Sequence, residues 1–262
     1  MILYGLSVII PFRKREFQEQ AGSCIMCAVK KKSKMTSVEV LGLTDTLTPD
    51  NEKYAEGLKT VAKTFNEALD IFNAPDFVSK SGWKKESESP THDTIYSKRS
   101  DTGKLFALRC EMPKDCETVF KDNWEGINEL TKWNSNLAFS KVVATLSDHA
   151  DVCHYGNRDL LIVKGRDFLV ARMYRKIHNG YITVGRSFEL ADIPETKANI
   201  RGELRMGAGR FMPKDSDPNV TVIDYVLSID LKGAIPKLIV NQFMAKIMLN
   251  DVVELRKHVA TL

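Results

Sequence analysis

The C-terminal end of this chain constrains its fold more than any other part. Pro236 stands at a helix start, and Leu238, Ile239, Phe243, Ile247, Met248, Val252, Leu255 and Val259 follow as one broad apolar stripe. A helix so apolar must bury that stripe against another layer. The preceding chain supplies the layer. Strand patterns at 138–146, 168–177, 181–189 and 220–227 follow one another with turns such as His178-Asn179-Gly180 between them. Consecutive strands without intervening helices form an antiparallel sheet. Shorter strands are read near Val152 and at 200–206.

Upstream, Thr48-Pro49-Asp50 opens a helix with Thr48 as cap and Pro49 at its first position. Tyr54, Leu58, Val61, Phe65, Ala68, Leu69 and Phe72 then recur at spacings of mostly three and four, and Asn73-Ala74-Pro75 ends the element. A hairpin turning at Ser100-Asp101-Thr102-Gly103 follows, with strands at 95–97 and 104–112. Pro113-Lys114-Asp115 starts a second helix through Val119, Phe120, Trp124, Ile127 and Leu130. Helix, strands, helix, strands and a long final helix make an α+β fold, in which the last helix is gripped across the concave face of the sheet. This domain is expected over 47–262.

Residues 1–34 read differently. They hold seven basic residues against Glu16 and Glu19, a net of +5 that leaves the rest of the +4 chain near −1. The body therefore offers no electrostatic case for nucleic acid. The apolar start, 1–11, precedes its basic cluster, the reverse of a secretory signal. Glu16 and Glu19 weaken a mitochondrial transit reading, which the basic residues keep open. The segment is expected to be a disordered extension that could touch anionic membrane. Its Cys24 and Cys27 form a lone C-x-x-C with no second pair, read as chance spacing. Five cysteines in all, an odd count, suit reduced thiols in the cytoplasm.

Chemistry is sparse. There is no G-x-G-x-x-G and no Walker A, and Gly207-Ala208-Gly209 lies in a strand or turn rather than ahead of a helix. The five histidines have no metal-ligand spacing. Asp151, Cys153 and His154 are close in sequence, but on a strand Cys153 and His154 point to opposite faces, which is poor geometry for a thiolate pair. No enzyme, metal or cofactor is expected. One residue is out of place: Phe168, Val170, Arg172 and Tyr174 share one strand face and Leu169, Ala171 and Met173 the other. Both faces are apolar around Arg172. Either it is buried and needs a partner, water or a ligand's polar head, or it sits at an edge with its stem covering apolar surface.

Several linked blocks resemble one family. They are Gly165-Arg166-Asp167-Phe168, the segment from Ile193 through Pro194, Glu195 and Ile200 to Glu203, the segment from Leu227 through Asp230-Leu231-Lys232-Gly233 to Gln242, and Leu255-Arg256-Lys257. Together they resemble the START (steroidogenic acute regulatory protein-related lipid transfer) domain, most of all its cholesterol-carrying subgroup. The resemblance implies a helix-grip fold: a curved antiparallel sheet closed by the C-terminal helix over a tunnel for one lipid, carried between membranes without chemistry. The lipid is expected to be a sterol such as cholesterol, with a phospholipid or ceramide carrier, or a lipid-sensing module acting through a protein partner, as the alternatives. Partners are then the lipid and, transiently, a membrane surface.

The resemblance places Arg172 where the subgroup has a buried Arg that pairs with an acid one strand earlier and meets the sterol hydroxyl. The acid does not carry over, because its position falls on Tyr155 or Cys153. The expected lipid-contacting set is therefore Arg172, Tyr155 and Cys153, with Phe168, Val170 and Tyr174 from the strand and Phe243 and Ile247 from the final helix. The loop 212–219, with Pro213, Asp217, Pro218 and Asn219, is expected to gate the tunnel. If the domain boundary is right, deleting residues 1–34 leaves lipid binding unchanged; loss of folding or binding in the truncated protein refutes it.

Overall fold

Two sheets and four α-helices make up the structure, a computed structural model describing residues 35–100, 103–159, 164–196, 199–233, 235 and 237–262, without the side chains of 237–243. The segment 1–34 with its Cys24/Cys27 pair, the Asp101-Thr102 turn, Pro236 and the Phe243 side chain lie outside the described residues. The first element is a small hairpin, β1 (Ser37–Val40) and β2 (Leu43–Thr46). Leu41 (φ 51°) and Gly42 (φ 76°) turn it, as a two-residue hairpin with both central residues left-handed requires.

Thr48 takes an extended conformation ahead of a 3₁₀ turn, Pro49–Tyr54, which leads into α1 (Ala55–Asn73). Pro75 both ends α1 and opens a short α2 (Pro75–Ser79). The strands β3 (Lys84–Glu88), β4 (Thr94–Ser100) and β5 (Gly103–Met112) then form a meander. Asp115 caps α3 (Cys116–Glu125) by accepting from the Thr118 amide at 3.0 Å. A 3₁₀ turn, Gly126–Lys132, extends it. Strands β6 (Leu137–Ser147), β7 (Ala150–Asn157), β8 (Arg166–Ile177) and β9 (Gly180–Ser187) follow, then a two-residue β10 (Ile200–Arg201), β11 (Glu203–Lys214), β12 (Asp217–Asp230) and finally α4 (Lys237–Val259).

The large sheet runs β3-β4-β5-β12-β11-β9-β8-β7-β6, antiparallel throughout, with β10 added parallel to β8. Register shifts in the β6–β7 and β11–β12 pairs bend the sheet. The strand near Val152 is a full strand paired on both sides. The 200–206 pattern divides into β10 and the start of β11.

The expected gate loop needs correction. Pro213 belongs to β11 and Asp217, Pro218 and Asn219 to β12, so the connection is a hairpin turning at Asp215-Ser216. The turn formers are real, but a register shift after Pro213 absorbs them: Pro213 faces Thr221 while Lys214 faces Asp217. Pro218, which lacks an N–H, falls in that bulged stretch.

Both faces of the sheet are covered. Leu58, Val61, Phe65 and Phe72 of α1 pack on the outer face against Leu169, Ala171, Met173 and Val184. α3 and α4 pack on the inner face against Phe168, Val170, Phe211 and Tyr225. The β1–β2 hairpin, ahead of the expected boundary at Leu47, is tied to the outer face by Arg175. Its fully buried guanidinium donates to the Val40 carbonyl (2.9 Å), the Leu43 carbonyl (3.3 Å) and the Asp45 carboxylate. Removing one partner of a buried ion pair strands the other. Asp45→Ala is expected to lower stability by about 3–5 kcal/mol in denaturant unfolding, far more than a surface substitution.

Candidate functional site

Register sets one row across the inner face, with its charged pair at one end and glycines beyond it. Asp151 of β7 lies opposite Arg172 of β8, Arg172 opposite Gly185 of β9, Gly185 opposite Gly207 of β11, and Gly207 opposite Leu227 of β12. At one end of the row, Arg172 donates from Nε to Asp151 Oδ1 (2.9 Å) and from Nη2 to Asp151 Oδ2 (2.5 Å). Nη2 also donates to the Trp124 carbonyl in the last turn of α3 (3.0 Å), where a helix favours positive charge. The guanidinium lies over the Trp124 ring, 4.2 Å from its centroid.

Arg172 is thus buried and paired, and the edge-exposed alternative is wrong. The expectation that no carboxylate stands opposite it is also wrong. Asp151, Cys153 and Tyr155 share a strand face, and the acid sits one same-face step before Cys153 and two before Tyr155, the two positions the resemblance offered. Tyr155 pairs in register with Phe168, four residues from Arg172 and so about 13 Å along the strand. It stacks on that ring at 5.5 Å. Cys153 faces inward, 3.4 Å from Asp151 Oδ1, and burial pushes its thiol well above the ordinary range. His154 turns to the other face, where it meets Asp167 at 2.7 Å.

Next to Arg172 the floor is bare backbone. Gly185, Gly207 and Gly209 line it with Thr183 and Val184. A Cβ on Gly207 would meet the Leu204 side chain at 3.3 Å and Tyr225 Oη at 3.6 Å. Ile127 and Leu130, from the turn after α3, form one wall, and Asp251 and Leu255 of α4 form the roof. The roof is clasped at its C-terminal end: Arg256 makes two bonds to Asp93 (3.1 and 2.8 Å), and His258 bonds Asp122 (2.9 Å) and stacks on Trp133. The enclosed space is about 30 Å³, room for about two waters.

Of the residues expected to contact a lipid, Arg172 lines this space. Phe168, Val170, Cys153 and Tyr155 are buried in the inner core around it, with Tyr174 and Ile247 packed against that core. Asp151, Trp124, the glycine floor and Asp251 were missed. Asp251 had a signal: Met248, Asp251 and Leu255 are spaced three and four apart, so the acid lies in the apolar stripe and is buried with it.

Burial pushes the Asp251 carboxyl up to about 7, although it accepts from the Asn136 (2.9 Å) and Asn134 (3.3 Å) side-chain amides. The folded protein therefore holds this proton more tightly than the unfolded chain does. Its stabilising effect is complete below the ordinary carboxylate range near 4 and is lost as pH rises to about 7. Asp251→Asn is expected to remove that decline. Its advantage over the unsubstituted protein should grow from pH 4 to pH 7, to at most about 4 kcal/mol, in urea unfolding across that range.

No helix among the described residues is long and apolar enough to cross a membrane. A family model for the START domain matches residues 63–262. The chain is 37% identical over 217 residues to steroidogenic acute regulatory-like protein 1 of Caenorhabditis elegans, covering 82% of this chain and 84% of that protein. It is 28% identical over 223 residues to the mitochondrial steroidogenic acute regulatory protein of Equus caballus, covering 82% and 74%. Among solved structures, human StAR-related lipid transfer protein 5 shares the fold with a TM-score of 0.70 at 17% identity, covering 79% of this chain and 98% of that one. The chain belongs to the START domain family of lipid-binding and lipid-transfer proteins, close to its steroidogenic acute regulatory members.

Proposed function

We propose that this protein holds a single sterol, cholesterol or a near relative, between the inner face of the sheet and α4, and carries it between membranes without altering it. The observation that carries the reading is Arg172, a buried guanidinium lining an otherwise largely apolar cavity and braced by Asp151 and Trp124. A buried ion pair is seldom kept for stability, since apolar residues of similar volume serve as well or better. Beside a cavity it supplies a fixed polar anchor for a ligand's head group. The flat glycine floor suits a rigid, flat lipid body. Phe168, Val170, Cys153, Tyr155, Tyr174, Phe243 and Ile247 are proposed to frame the lipid as its outer surroundings.

A cavity of about 30 Å³ is far below the roughly 300–1,000 Å³ of a small-molecule pocket. Loading therefore requires α3 or α4 to move outward. The β11–β12 hairpin, with Pro213, Asp217, Pro218 and Asn219 around its Asp215-Ser216 turn, is proposed to open together with α4. Unloading is proposed to occur at a membrane surface reached from the cytoplasm, with the basic segment 1–34 adding weak attraction to anionic lipid.

Native mass spectrometry of the protein from cells should find one sterol per chain. A phospholipid, ceramide or fatty acid would keep the carrier and overturn the sterol. Failure to move any lipid between vesicles over several turnovers would favour a lipid-sensing module instead. The double variant Asp151→Leu with Arg172→Met removes both charges together and should stay folded, yet lose about tenfold or more in sterol affinity, as expected for one charge-assisted hydrogen bond. Unchanged affinity in the folded double variant would remove the pair from the site.

A further inference from the structure

Away from Arg172, one oxygen in the lining of the same cavity and one beside its floor have no hydrogen-bond partner among the described residues. Tyr225 Oη, from β12, and Asp251 Oδ2, from α4, are both buried and unsatisfied. Tyr225 Oη lies over Gly207, whose missing side chain forms part of the cavity floor, and Asp251 forms part of the roof. Buried polar atoms left unpaired are costly, and native structures tolerate them where water or a ligand completes them.

Arg172 cannot complete them. It stands on β8, three strand spacings from β12 and so about 14 Å away at the backbone. It also leans toward Asp151 on β7, in the opposite direction. One head group cannot meet both places.

We propose that Tyr225 and Asp251 form a second polar pole of the cavity, which takes a hydroxyl or carbonyl oxygen at the end of a lipid remote from Arg172. The preferred ligand is then a lipid oxygenated near both ends, such as a sterol carrying a hydroxyl on its side chain. The proposal rests on the reading of this cavity as the lipid site. Tyr225 can donate or accept, and a carboxyl that keeps its proton can do both, so the pair suits a neutral oxygen rather than a second charge. Asn134 and Asn136 hold the other oxygen of Asp251 and aim this one.

The test compares cholesterol with 25-hydroxycholesterol on the full chain. The unsubstituted protein should bind the hydroxylated sterol about tenfold more tightly, the gain expected for two neutral hydrogen bonds in a buried site. Tyr225→Phe should bring that preference close to one. Its ligand-free form should melt no lower than the unsubstituted protein, because the hydroxyl it loses is unpaired; a hydroxyl with a purely structural role would lower the melting temperature. Asp251→Leu is the second variant, with the same expected loss of preference.

Equal binding of the two sterols, or a preference that survives both substitutions, overturns the second pole and leaves the carrier reading intact. If neither sterol binds, the sterol assignment fails. The pole is then read with palmitic acid against ω-hydroxypalmitic acid: a preference abolished by Tyr225→Phe supports it, and no preference overturns it.

Discussion

The sheet is covered on both sides, and that constraint governs the rest of the molecule. β8 is buried from Arg166 to Met173 and again at Arg175, so a polar group in that stretch is cut off from water on either face. Arg172 and Arg175 are three residues apart and point to opposite sides of the strand. Each is answered by its own aspartate, Asp151 inside and Asp45 outside. The outer pair fastens the β1–β2 hairpin to the body. The inner pair fastens α3 through Trp124, and its Arg172 lines the cavity. Two charges on one strand thus join the two cores of the domain.

The inner core is closed by shape as much as by charge. Gly185, Gly207 and Gly209 leave bare backbone along the cavity floor, where a Cβ would crowd Val170, Leu204 and Phe211 of the same sheet. α4 is held at its C-terminal end by Asp93, Asp122 and Trp133. At the other end, Arg166 donates to the carbonyls of Leu231 (2.9 Å) and Lys232 (3.0 Å), just where Lys232 and Gly233 take left-handed conformations before the helix. Residues 231–233 ahead of α4 therefore form a shaped, anchored turn.

Much of this was legible in the sequence, because periodicity reports burial. The stripe from Leu238 to Val259, the alternation along β8 and the amphipathic face of α1 fixed which surfaces had to meet. Periodicity does not report register, and that is where the reading failed. Asp151, Cys153 and Tyr155 all face inward, and only the pairing with β8 distinguishes the residue opposite Arg172 from the one about 13 Å away. The loop at 212–219 failed for a related reason: Pro213 and Pro218 mark a bulge as readily as a loop. The β1–β2 hairpin was invisible because its anchor, Arg175, lies 130 residues away in sequence.

The strand order has a consequence for how the chain assembles. β3, β4 and β5 form a local meander, as do β6 to β9, but neither group pairs with the other. They are joined by the β11–β12 hairpin, in which β11 runs beside β9 and β12 beside β5 through Leu227 opposite Phe106 and Thr221 opposite Met112, contacts more than a hundred residues apart. Closing such distant pairs costs chain entropy before it is repaid, so they form late. During synthesis the two groups of strands emerge first, each with an unpaired edge, until residues 203–230 arrive to join them. The cavity roof, α4, follows that seam, so the segment that closes the site is made after the sheet it closes.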